Sequence, residues 1–289
     1  MSNAAKLRSL LASGKMIVAP GALDGITART IMQAGFPAVY MTGAGTAMSL
    51  GYPDYGLTTM TEMVANATRI VNSIDVPLIS DSDTGFGNEL NVFRTVQEFE
   101  RAGVAAIHIE DQVFPKKCGH LDNKEMVSRE DYIAKIRAAA AARKSKDFCV
   151  IARTDSRAVL GFDEAVERAN LALANGADVA FVEAPQSMAE IEAVPKRVKG
   201  PCLLNIVRGG KTPEIDLKTA EALGYAIAIV PGLLLVGIIQ TCDRLLADLK
   251  EDKFPPITSA PVRTFARFGA AEWDERRTAF RAPLKSPTE

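Results

Sequence analysis

The chain is poor in the residues that build transition-metal and disulfide sites. It has two histidines, His108 and His120, and four cysteines, none of them in a C-x-x-C spacing. That gives no sign of a zinc site or a disulfide framework. Excess charge of one sign is also missing. The formal net charge is -1 and no long like-charge run occurs, so neither a nucleic-acid partner nor a membrane surface is expected. No apolar run reaches the roughly 18 residues of a membrane span; the longest, residues 225–240, is interrupted by Pro231 and Gly232. No basic-then-apolar signal follows Met1, which points to a cytoplasmic location. A glycine-rich phosphate loop is absent too. After the first apolar run stands Ala19-Pro20-Gly21-Ala22, which counts against an open, doubly wound nucleotide-binding sheet.

What is present is a regular alternation. Hydrophobic residues make up 47% of the 289 and charged ones 24%, the balance of an ordinary globular protein. Short apolar runs at residues 16–20, 38–42, 77–81, 105–110, 148–153, 178–183, 201–206 and 225–230 read as buried parallel strands, rich in Val, Ile and Ala. Helical patterns fall between and after them, at 23–34, 61–73, 91–102, 128–144, 162–175, 188–198, 214–223 and 233–249. Asp24 and Ser128 are expected helix caps. Eight such units predict an α/β chain folded as a TIM-type (β/α)₈ barrel over residues 1–250. A helical or extended tail follows over 251–289. Its linker is Lys253-Phe254-Pro255-Pro256, and Phe265, Phe268 and Trp273 are apolar enough to pack on a neighbour. Residues 282–287 are expected to be disordered.

A barrel gathers its site at the C-terminal ends of its strands. The second strand end offers Thr42, Gly43 and Ala44, then Asp54 further on; the third offers Asp81 and Asp83. The fourth carries His108 and Glu110, then a loop with Cys118. The fifth, sixth and seventh supply Arg153, Glu183 and Asn205. Four carboxylates without histidine-rich companions suit a hard cation, Mg²⁺ or Mn²⁺. Arg153 offers a planar fork for a carboxylate, and Gly43 and Gly45 let backbone N–H groups approach an anion. Cys118 stands among Lys116, Lys117 and His120, cations that ease loss of a thiol proton. Cys149 and Cys202 lie in apolar runs and read as inert core thiols. The bland alternatives are turn or cap roles for single aspartates, Asp155 and Asp178 above all, a solvated pair at Lys116 and Lys117, and a core role for His108.

Three stretches carry a family resemblance: Ser80-Asp81-Ser82-Asp83-Thr84-Gly85-Phe86-Gly87, Ile109-Glu110-Asp111-Gln112 and Lys116-Lys117-Cys118-Gly119-His120. In order and spacing the chain resembles the isocitrate lyase / phosphoenolpyruvate mutase superfamily from about residue 7 to 249. The cysteine loop resembles that of the C–C lyase branch, which holds 2-methylisocitrate, dimethylmalate and petal-death type lyases; the phosphonate mutases lack it. The resemblance implies Mg²⁺ bound directly by Asp81 and through water by Asp54, Asp83 and Glu110. It implies that Tyr40, Thr42, Gly43 and Ala44 line an oxo-acid subsite and that Arg153 holds a carboxylate. His108, Glu183, Asn205 and the loop residues Lys117, Gly119 and His120 would complete the pocket, with Cys118 as general acid on a gating loop. It further implies a homotetramer that exchanges the last barrel helix. Arg208 departs from the pattern, standing where many lyase relatives carry Glu, and is expected to add a substrate-binding cation or alter loop closure.

The expected reaction is cleavage of a 2-hydroxy di- or tricarboxylate into an oxo acid, such as pyruvate, and a second carboxylic acid. Tyr40 is one candidate for the group that removes the hydroxyl proton. The alternatives are an oxaloacetate decarboxylase or hydrolase on the same site, a phosphonate mutase, and a non-catalytic barrel that binds a carboxylate metabolite.

Overall fold

A computed structural model describes residues 1–256 and 259–281. The expected disorder at 282–287 lies outside the described residues. Eight strands form: β1 Ile17–Ala22, β2 Val39–Met41, β3 Leu78–Asp81, β4 Ala106–Glu110, β5 Cys149–Thr154, β6 Val179–Val182, β7 Cys202–Asn205 and β8 Ile227–Val230. All pair in parallel and in sequence order, and β1 also pairs with β8, so the sheet closes into a barrel. Closure removes the open-sheet alternative.

Strand residues are buried on both faces, as a helix-covered barrel requires. Period-two alternation then decides where the chemistry goes. Tyr40, Ile79, Ala106, Ile151, Phe181, Leu203 and Ile227 share one apolar cluster, the lower filling of the barrel. Two residues onward along β3, β4, β5 and β7, with Glu183 just past β6, come Asp81, His108, Arg153, Glu183 and Asn205. One face of each of these strands thus turns from apolar to polar at its C-terminal end.

The expected helices are found within a few residues of their reading. Asp24 caps Gly25–Gln33 with a reciprocal capping box, and the Ser128 hydroxyl accepts from Asp131 N at the start of Arg129–Ala142. Three barrel helices are additional, one of them the single turn Arg157–Leu160. Asn3–Ala12 buries Leu7 against the lower end of the barrel filling. Gly43–Ser49 opens directly after β2, capped by Thr42. Asp178 is more than a turn residue: it accepts from Val150 N at 2.8 Å and pairs with Arg8 at 2.8 Å and Arg143 at 2.7 Å.

The chain divides into two compact units, residues 1–238 and 239–289. The first is the barrel. The second holds the end of helix Gly232–Lys250 and the short helices Pro261–Ala266 and Ala270–Phe280, where Arg276 lies over the Trp273 ring at 4.8 Å. Among the described residues no helix is long and apolar enough to cross a membrane.

Candidate active site

The strand-end groups converge. Asp81 ends β3 beside His108 of β4 in register, and Glu110 stands beside Arg153 of β5. Asp81 Oδ1 accepts from Asp83 N at 2.9 Å, and Oδ2 from Gly43 N at 3.1 Å. A Cβ on Gly43 would lie 2.3 Å from Asp81 Oδ2, so glycine is what lets the helix start approach that carboxylate. The backbone anion site expected of Gly43 is therefore occupied by Asp81. Tyr40 Oη is 2.8 Å from His108 Nε2 and 3.5 Å from Asp81 Oδ2. Burial pushes the His108 ring down to about 4 against the pull of Asp81, so it is neutral at neutral pH.

The loop after β4 folds back over this floor. Its stem is closed by Val113 N to Glu125 O at 2.8 Å and Val127 N to Asp111 O at 2.9 Å. Lys116, which a bland reading leaves in solvent, is buried: its Nζ lies 2.6 Å from Asp54 Oδ1 and 2.9 Å from Asp83 Oδ1. Cys118 N donates to Asp54 O at 3.2 Å. His120 Nε2 is 3.2 Å from Glu183 Oε1, and Asn205 Nδ2 is 3.2 Å from both Glu183 oxygens. A Cβ on Gly119 would lie 2.5 Å from Glu183 Oε1, so only glycine passes at this point. An aspartate after β2, a cysteine loop after β4 and a glutamate after β6 meet at one barrel end, in the order the motifs require.

The sequence model described as phosphoenolpyruvate phosphomutase matches residues 7–250. The chain belongs to the phosphoenolpyruvate mutase / isocitrate lyase superfamily. It is 48% identical over 269 residues to 2,3-dimethylmalate lyase of Eubacterium barkeri, covering 93% of each chain. It is 44% identical to 2-methylisocitrate lyase of Aeropyrum pernix, over 85% of this chain and 79% of that one. The solved structure of oxaloacetate acetylhydrolase with the inhibitor 3,3-difluorooxalacetate superposes with a TM-score of 0.94 at 39% identity, over 98% of this chain and 99% of that one.

Within this superfamily barrel several expectations change. Cys118 is not an acidified thiol. Burial pushes its pKa up, and the nearby Asp54 and Glu183 add to this against a backbone hydrogen bond from His120. A thiol of this kind keeps its proton until a strong base arrives. Tyr40 does not suit a general base: burial, then Asp81, raise its phenol well above the usual tyrosine value, so it stays protonated. Lys117 turns outward, its Nζ 3.4 Å from Asn123 O. Arg208 is exposed, 3.7 Å from Glu214, and makes no described contact with the strand-end carboxylates. Asp155 is no turn residue; it is fully buried and grips Arg153 Nε at 2.8 Å and Nη2 at 3.1 Å.

The donor set fits a hard cation. Burial disfavours charge on Asp81, but His108 first, then Lys116, Arg153 and the Asp83 N–H, outweigh it and bring its pKa to about 2. Asp83 Oδ1 and Glu110 Oε2 are buried, each facing a cation of the site, Lys116 Nζ at 2.9 Å and Arg153 Nε at 3.2 Å. Among the described residues no three His, Cys, Asp or Glu side chains close around a common point tightly enough to hold a metal. A cation at Asp81 would take most of its ligands from water and substrate oxygens, as Mg²⁺ commonly does.

Proposed function

We propose that this protein is a Mg²⁺-dependent C–C lyase that cleaves a 2-hydroxy di- or tricarboxylate resembling 2,3-dimethylmalate or 2-methylisocitrate. The observation that carries the reading is the Cys118 thiol, held protonated on a loop that packs onto the strand-end carboxylates and Arg153. Asp81 would hold the ion, with Asp83, Glu110 and Asp54 reaching it through water; Mn²⁺ would fit the same oxygens. The metal, when bound, supplies positive charge beside the 2-hydroxyl and its neighbouring carboxylate.

The rest follows from the chain's own groups. Arg153 orients a substrate carboxylate, and its remaining N–H donors serve for this because Asp155 takes only one edge of the fork. Thr42, Gly43 and Ala44 border the oxo-acid end, and His120, Glu183 and Asn205 the other. Tyr40, protonated and backed by His108, donates a hydrogen bond rather than removing a proton. As the hydroxyl passes its proton to a carboxylate of the floor, the C2–C3 bond breaks, C2–O becomes the carbonyl, and the bonding electron pair stays on C3. Cys118 passes its proton to that carbon, giving an oxo acid such as pyruvate and a saturated carboxylic acid. The His120 N–H is placed to hold the thiolate that remains. The packed loop excludes water while the carbon carries charge. Turnover in D₂O should put one deuterium on that carbon. A saturated acid that carries none, made at the full rate by Cys118→Ala, would remove the thiol from the mechanism.

Oxaloacetate hydrolysis is the second reading, favoured by the superposition on oxaloacetate acetylhydrolase. Release of oxalate and acetate from oxaloacetate would select it. We assign the protein to the cytoplasm, with a small carboxylate as its partner, as a homotetramer with barrel 1–250 and tail 251–289. Leu233, Val236, Ile239, Leu246 and Leu249 are exposed along helix Gly232–Lys250, and a groove of about 560 Å³ lined by Val18, Pro20, Phe36 and Val230 runs along the barrel wall. Exchange of that helix between subunits would cover both.

A further inference from the structure

We infer that Lys124 and Asp155 form the latch that fixes where the Cys118 loop closes, and that both are positioning residues for the proposed lyase reaction, on which this inference rests. Lys124 lies at the far end of the loop from Cys118, yet its side chain is only 1% exposed. Its Nζ is 3.1 Å from Asp155 Oδ1 and also donates to the carbonyl of Gly119. Gly119 follows Cys118 directly, so this one ammonium group fixes the Gly119–His120 peptide next to the residue that carries the thiol.

Asp155 is shared. Its carboxylate receives Arg153 from the barrel floor and Lys124 from the loop. Its backbone N–H donates to Asp111 Oδ1 at 2.8 Å. Asp111 Oδ2 in turn accepts from Thr154 Oγ1 at 2.6 Å and lies 3.1 Å from Arg168 Nη1. Arg168 also donates to Val127 O at 2.9 Å, at the base of the loop stem. The loop is therefore tied at its tip through Lys124 and at its base through Arg168, and both ties lead to the residue that grips Arg153.

The charges allow two states. When the loop lifts, Lys124 returns to water while Asp155 keeps Arg153 as counter-ion, so neither charge is stranded. When the loop closes, the buried ammonium is compensated only if it meets Asp155 and the Gly119 carbonyl together. Closure is thereby selected in one register, the one that holds Gly119 against Glu183 and Arg153 and Cys118 against Asp54. A pair that served only to hold the fold together would lack such an open alternative.

Cys118 itself reports on the latch. In a Cys242→Ser background the exposed thiol is removed, and Cys149 and Cys202 are buried. The rate of Cys118 alkylation by iodoacetamide is then read on the protein alone, without substrate, so the result stands whatever the lyase assay gives. Lys124→Met should raise that rate by about tenfold or more, since one partner of a buried ion pair is lost. Asp155→Asn should do the same, and the double variant should be no faster than the faster single, because both open one contact. In the lyase assay, kcat should fall while the Mg²⁺ concentration for half activity holds steady. An alkylation rate within twofold of the background in folded Lys124→Met would overturn the latch. If Lys124→Met does not fold, Lys124→Gln carries the same expectation. If neither folds, the pair is a folding element and the latch is wrong.

Discussion

Lys116 Nζ bridges Asp54 at 2.6 Å and Asp83 at 2.9 Å, so one loop cation ties two carboxylates of the floor. Burial opposes its charge, but Asp83, Glu110, Asp54 and Asp81 raise its pKa well above the usual lysine value, and it stays protonated across the working range. Lys116→Met should therefore lower kcat/KM by about 100-fold, in line with the few kcal/mol that loss of one member of a buried ion pair costs. Circular dichroism should show an intact barrel. Activity within twofold of the parent would mean that the bridge does nothing for closure.

The thiol gives a pH signature. Cys118 is raised above the usual cysteine value, first by burial, so its thiolate is scarce at neutral pH. In the Cys242→Ser background, alkylation of Cys118 should climb about tenfold per pH unit from pH 7 and still be rising at pH 9. A plateau near pH 7 would restore the acidified thiol expected from the neighbouring lysines and His120.

Tyr40 should behave as a donor. Tyr40→Phe removes the hydroxyl 2.8 Å from His108 Nε2 and should lower kcat by about 10- to 100-fold, the range for loss of one site hydrogen bond. Because burial and Asp81 keep the phenol protonated, the basic limb of the pH–rate profile below pH 10 should be unchanged in the variant. Disappearance of that limb would return Tyr40 to the role of base.

Much of this was legible in the sequence. The eight apolar runs and their polar ends set the barrel and its register, because strand alternation carries each inward column from filling to site. Asp81, Glu110, Arg153 and Glu183 could be found that way. Lys116, Lys124 and Asp155 could not. Their meaning depends on how a loop of residues 113–125 folds back, and no periodicity encodes that. A charge count held the one hint: four carboxylates at one barrel end need a cation among them, and Lys116 is the nearest on the loop. Arg208 shows the converse, since a residue that stands out against a motif turned out to face solvent.

Metal dependence is a separate test. Treatment with EDTA should abolish turnover, and Mg²⁺ or Mn²⁺ should restore it. Asp81→Asn should not be rescued at about 100 times the parent's half-saturating Mg²⁺, since a neutral amide gives up the charge that holds a hard cation. Full activity after EDTA would remove the metal from the account.

The most direct measurement is oxo-acid release, read with a coupled dehydrogenase, from 2,3-dimethylmalate, 2-methylisocitrate, isocitrate, other substituted malates and oxaloacetate. Each would be run with the parent protein and Cys118→Ala in the presence of Mg²⁺. Mg²⁺-dependent cleavage of at least one hydroxy acid is expected, with loss of about 100-fold or more in the variant. Turnover of oxaloacetate alone, surviving loss of the thiol, would contradict it.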